Sequence, residues 1–158
     1  MKTRYFSAIL FLFALCVSSC DKSVSSLKKY YGSWEVSKYE YYVKNLSSGE
    51  FELTNSYSAE NNTQHSYFLL YNYEESLADM QNLCVYNMDT TISSSLISNV
   101  GNTGACYWYV AKKGQINFWN AGTQEFIVDV SEYKSKEMEW TYTGDTFKEI
   151  YFLKRADV

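Results

Sequence analysis

The side chains able to do chemistry are few and scattered. His65 is the single histidine of the 158-residue chain. It follows the polar break Asn61-Asn62-Thr63-Gln64, which makes it a surface-loop residue. One histidine leaves no His-rich metal site and no ready Ser–His–Asp arrangement. Cys84 and Cys106 lie far apart in sequence rather than in CxxC spacing, so a zinc site has no support. Glu137 and Glu139 are two residues apart, as are Glu50 and Glu52. On a strand such carboxylates share one face, which is ordinarily a solvated face rather than an acid–base pair. Asn61-Asn62-Thr63 fits a glycosylation triplet but reads as a loop. There is no glycine-rich phosphate loop and no nucleophile elbow. The expectation is a protein that is not an enzyme and carries neither metal nor cofactor.

Cys20 is different, because its surroundings give it a task. Lys2 and Arg4 precede an apolar run over residues 5–17, the pattern of an export signal. The run of about 13 residues falls short of the ~20 that span a bilayer as a helix. It ends in Val17-Ser18-Ser19-Cys20, which resembles the lipobox of bacterial lipoproteins: an aliphatic residue, two small ones, then the cysteine that becomes the mature N-terminus. The thiolate is the nucleophile that takes a diacylglyceryl group, and small residues open the preceding bond to the peptidase. Residues 1–19 are thus a lipoprotein signal peptide, and 20–29 are the lipidated Cys20 and its tether. Several acyl chains of palmitate type anchor the product stably, each buried methylene adding about 0.8 kcal/mol. The location implied is the cell envelope, most simply the outer membrane, on either its periplasmic or its surface face.

The elements that must position everything else are strands. The chain holds 16 Tyr, 9 Phe, 4 Trp and no proline; aromatic residues suit pleated, half-buried surfaces, and nothing forbids long hydrogen-bonded ladders. The formal net charge is −4, and loss of Lys2 and Arg4 with the signal makes it −6. Such an acidic chain has no phosphate-neutralising surface, which excludes nucleic acid as a partner. Residues 30–158 read as one domain. Strands are expected at 33–44, 51–54, 67–73, 106–111, 116–119, 126–130, 138–142 and 147–153. Residues 27–31 suit one helical turn. In 74–104 the spacing of Leu77, Met80 and Leu83 or Cys84 suits a short helix, with a strand over 83–88 as the alternative and a loop over 93–104. A sheet of eight or nine strands with one apolar face is best satisfied by closing into a barrel; a β-sandwich is the rival. Cys84 and Cys106, once Cys16 and Cys20 are assigned elsewhere, either form one disulfide or remain buried free thiols.

Gly32-Ser33-Trp34 opens the first long strand, and Tyr151-Phe152-Leu153-Lys154-Arg155 closes the last. This pairing resembles the lipocalins, whose first strand opens on G-x-W, and more closely the lipocalin-like lipoproteins of Gram-negative envelopes. The resemblance implies an all-β, single antiparallel up-and-down barrel of about eight strands. It implies that Trp34 plugs the closed end and that Arg155 covers its ring, with Lys154 as the alternative cover. Both are then structural.

What remains for function is binding. Tyr41, Phe68, Leu70, Trp108, Phe118, Met138 and Trp140 are the candidates to face inward and line a ligand cavity. The first expectation is a lipid-anchored, lipocalin-like barrel that binds a small apolar or amphipathic molecule. The second is an accessory protein of an envelope complex, its barrel filled by side chains and its partner met through an exposed aromatic patch.

Overall fold

The computed structural model describes residues 29–62, 64–74, 80–92, 94–95, 103–112, 114–119 and 125–156. The expected signal peptide, Cys20 and most of the tether lie outside the described residues. Nine strands follow one another: β1 Gly32–Lys44, β2 Phe51–Ser58, β3 Tyr67–Glu74, β4 Met80–Asn87, β5 Thr103–Lys112, β6 Gln115–Trp119, β7 Glu125–Lys134, β8 Glu137–Thr143 and β9 Phe147–Arg155. A single 3-10 turn, Ala59–Asn61, interrupts them among the described residues. All pairings are antiparallel, in the order β2-β1-β3-β4-β5-β6-β7-β8-β9, and β1 also pairs with β9. That last pairing closes β1 and β3–β9 into an eight-strand barrel and leaves β2 outside it.

The all-β class and the closed barrel follow the sequence reading; the strict up-and-down order does not. β1 is 13 residues long and divides one edge between two partners. Gly32–Glu35 pairs with β3, while Lys38–Lys44 pairs with β2. β3 therefore returns to β1 rather than to its neighbour in sequence. Between the short helix and the strand over 83–88 that the sequence left open, the structure takes the strand; residues 75–79, with Leu77, lie outside the described residues. From Met80 onward the chain is strand β4, with Cys84 and Tyr86 buried and Leu83 and Val85 less so. Alternation of two, continued through Met88, overrides the shorter helical match. Of the helical turn expected at 27–31, the described part is a plain turn at Lys29 and Tyr30.

Side chains alternate in and out along the wall as a pleat requires. Trp34, Val36 and Tyr39 of β1, Phe68 and Leu70 of β3, Ile116 and Phe118 of β6, Met138 and Trp140 of β8, and Tyr151 and Leu153 of β9 are all buried. The β1–β9 register shifts between Val36 and Lys38, which keeps Val36 and Tyr39 on one face although three positions separate them. Rings fill the middle of the barrel. Phe68 lies 4.9 Å from Trp140 and 6.4 Å from Phe118, and Phe118 lies 5.1 Å from Trp140, between ring centroids.

Candidate binding site in the barrel

One end of the barrel is shut by the opening of β1. The Trp34 indole N–H donates to the Tyr30 carbonyl at 2.8 Å, and the Arg155 guanidinium carbon stands 5.3 Å from the Trp34 ring centroid. Arg155 also donates to the Tyr31 carbonyl. Tyr31 meets Trp108 edge to face at 5.5 Å and donates to Asn82 Oδ1 at 3.1 Å. Gly32 allows this assembly: its φ is +131°, and a Cβ there would come within 3.2 Å of Arg155 Nε.

The other end, roughly 20 Å further along β1, is organised around an acid. Glu149 of β9 is fully buried on the inward face. It pairs in register with Tyr41 of β1 on one side and Tyr142 of β8 on the other. Its carboxylate accepts hydrogen bonds from the Tyr151 hydroxyl at 2.7 Å, the Ser94 hydroxyl at 3.2 Å and the Ser95 N–H at 2.8 Å. Ser94 and Tyr151 also share a hydrogen bond. Burial and the Glu149 carboxylate push the Tyr151 hydroxyl well above its ordinary value of 10.0, and the same two causes raise Tyr39 and Tyr142. Tyr151 is thereby held as a neutral donor to Glu149.

Ser94 and Ser95 belong to no strand. The residues described between β4 and β5, 88–92 and 94–95, lead from Asn87 to the Glu149 carboxylate of β9, and their fastenings are visible. Met88 and Ile92 are buried apolar anchors. The Asp89 N–H donates to Ser66 Oγ at 2.8 Å. The Asp89 carboxylate takes both the hydroxyl and the N–H of Thr91, at 2.7 and 2.8 Å, and these bonds hold its pKa below the ordinary 3.8. Asn55 of β2 donates to the Thr91 carbonyl at 3.2 Å, so the strand outside the barrel helps hold the segment.

The residues expected to line a cavity all belong to the interior. Phe68, Leu70, Trp108, Phe118, Met138 and Trp140 are buried, and Tyr41 is partly buried against the same core. They do not surround one common space. Trp108 belongs to the Trp34 end, Phe68, Phe118 and Trp140 to the packed middle, and Tyr41 to the Glu149 end, where it stacks on Phe147 at 6.0 Å. The Trp140 indole nitrogen and the Tyr86 hydroxyl are buried without a hydrogen-bond partner, a rare condition for such groups. A groove of about 440 Å³ lies at the surface by Ser37, Lys38, Met138, Phe152 and Lys154.

Cys84 and Cys106 stand directly opposite each other across β4 and β5, and both are free thiols. Burial, with Cys106 beside it, pushes the Cys84 thiol well above its ordinary value. His65 is exposed, its Nδ1 2.6 Å from Glu35 Oε1. Glu149, Ser94 and Ser95 escaped the sequence reading. A signal existed, since Phe147, Glu149, Tyr151 and Leu153 alternate. The opposite face, Lys148, Ile150, Phe152 and Lys154, is half apolar and blurs the phase. No family model matches this chain, and no curated protein or solved structure is detectably similar to it.

Proposed function

We propose that the chain matures as a lipid-anchored envelope lipoprotein of lipocalin-like type whose barrel binds a small, apolar or amphipathic molecule. The observation that carries this reading is the Glu149 end. There the interior of a closed barrel holds a polar centre among rings, covered by an inserted segment rather than by the wall. A barrel of eight strands can hold one small ligand, and a site that is mostly apolar with few fixed polar groups is the usual chemistry of small-molecule pockets. The anchor rests on residues 17–20, and Cys20→Ser is expected to release the protein from membranes and abolish the acyl mass on the mature N-terminus.

The test is native mass spectrometry of the mature protein extracted from envelopes in mild detergent. A discrete mass beyond the acyl chains, lost in Tyr142→Ala, is the result expected. A folded protein of bare mass that takes up no amphiphile on titration overturns the binding reading.

The accessory reading is favoured by a different observation. On the outer face of β5–β7, Tyr109, Trp119 and Ile127 are 45%, 42% and 46% exposed, and the Tyr107 and Trp119 rings lie 5.4 Å apart. Exposed apolar patches mark contacts with other proteins. If this patch is the working surface, Trp119→Ser removes a partner from envelope co-purification and leaves the melting temperature nearly unchanged.

A further inference from the structure

Binding of an apolar molecule does not explain why the wall places a carboxylate among aromatic rings. Tyr41 and Tyr142 flank Glu149 in register, and Phe147 and Tyr151 lie two residues to either side on the same face of β9. Four rings form a chain on one side, Tyr41 to Phe147 at 6.0 Å, Tyr142 to Phe147 at 5.6 Å and Phe126 to Tyr142 at 5.6 Å, and Tyr39 and Tyr151 form a separate pair at 5.0 Å. A purely apolar guest would be better served by Leu or Val at position 149, because a buried carboxylate loses its hydration.

Among the described residues Glu149 has no countercharge. No lysine, arginine or histidine among the described residues lies within ion-pair distance of it. Its donors are neutral, and two of the three, the Ser94 hydroxyl and the Ser95 N–H, come from the inserted segment and not from the wall. A ring of aromatic faces attracts a cation through the ring quadrupoles. A carboxylate inside that ring supplies the opposite charge and hydrogen-bond acceptors. The two together match an organic ammonium group and discriminate against an anionic head.

We propose that Glu149, with the rings of Tyr41, Tyr142, Phe147 and Tyr151, recognises the ammonium head of an amphipathic amine. In the structure described here the Ser94 hydroxyl and the Ser95 N–H hold the carboxylate oxygens that the ammonium would take. The proposal rests on the reading that the barrel interior binds a small molecule, and it names the ligand class.

The test titrates the full-length mature protein with three probes of equal chain length, each below its micelle concentration: decyltrimethylammonium, decanol and decyl sulfate. Intrinsic tryptophan fluorescence and calorimetry report binding. The ammonium is expected to bind at least about tenfold more tightly than decanol, with the sulfate weakest. Glu149→Gln, which keeps the shape but removes the charge and turns one acceptor oxygen into an NH2 donor, is expected to erase the ammonium preference, so that within this variant the ammonium binds no more than about twofold more tightly than decanol. Decanol bound as tightly as the ammonium, or sulfate bound best, overturns the ammonium assignment and leaves the binding barrel standing. No binding of any probe overturns both. If Glu149→Gln does not fold, the ranking of the three probes on the unaltered protein decides alone.

Discussion

At the scale of single residues, the Trp34 assembly and the cysteine pair make the sharpest statements. Trp34 is fully buried and its indole N–H is satisfied by Tyr30, so Trp34→Ala leaves both a cavity and an orphaned carbonyl. The expected loss is ~3–5 kcal/mol in denaturant melts, and a loss below about 1 kcal/mol would remove Trp34 from its role as the plug. Arg155→Met keeps the stem and deletes the charge; it is expected to cost ~0.5–2 kcal/mol for the lost contact with the ring. Gly32→Ala should destabilise more than an exposed glycine substitution, because the strained φ and the approach of Arg155 act together. The G-x-W spacing thus has a local cause: the glycine makes room for the side chain that covers the tryptophan. For the cysteines, burial keeps the Cys84 thiol protonated and out of reach, whereas Cys106 is partly exposed. Maleimide at neutral pH is expected to label Cys106 first in the native protein, and Cys84 at a comparable rate only after unfolding. Equal native rates would contradict the inward placement of Cys84.

At the scale of elements, the order of the residues after β4 depends on a titratable side chain. Asp89 holds the turn through Thr91, and its folded pKa is depressed by those hydrogen bonds. Its contribution is therefore complete above the ordinary aspartate value of 3.8 and is lost as pH falls through the lower folded value. Hydrogen exchange at the Thr91 and Ser95 amides should accelerate, relative to the β8–β9 ladder, as pH is lowered through that window, after correction for intrinsic rates. Asp89→Asn should weaken the pH dependence. Strands such as β8 were legible because Met138, Trp140 and Tyr142 alternate with Glu137, Glu139 and Thr141, and one face is unmistakably the inside. β4 was not, because Leu77, Met80 and Leu83 fit a helix as well as Cys84, Tyr86 and Met88 fit a strand. The site was least legible of all. Glu149 sits in a strand where both faces carry apolar residues, and its partners Ser94 and Ser95 lie in a serine-rich stretch that reads as loop. Only three-dimensional closure brings positions 94 and 149 together.

At the scale of the whole molecule, the contacts that convert a sheet into a barrel join β1 to β9. The Ser37 hydroxyl donates to the Phe152 carbonyl across 115 positions of chain, and Arg155 reaches the Tyr31 carbonyl across 124. A chain ending at Thr143 lacks β9, so it keeps β1 and β8 as long unpaired edges beside an opened aromatic interior. It is expected to aggregate, as read by size-exclusion chromatography and light scattering, where the full domain is monodisperse. Contacts so distant in sequence are also the slowest to form, since their loop entropy is met before any reward. β1 is among the first parts of the barrel to be synthesised, and β9, the strand it waits for, is the last. The seam is in this sense a clock: a molecule still being synthesised, or one cut short, remains open, and openness itself marks it as unfinished to any protease that surveys exposed strands.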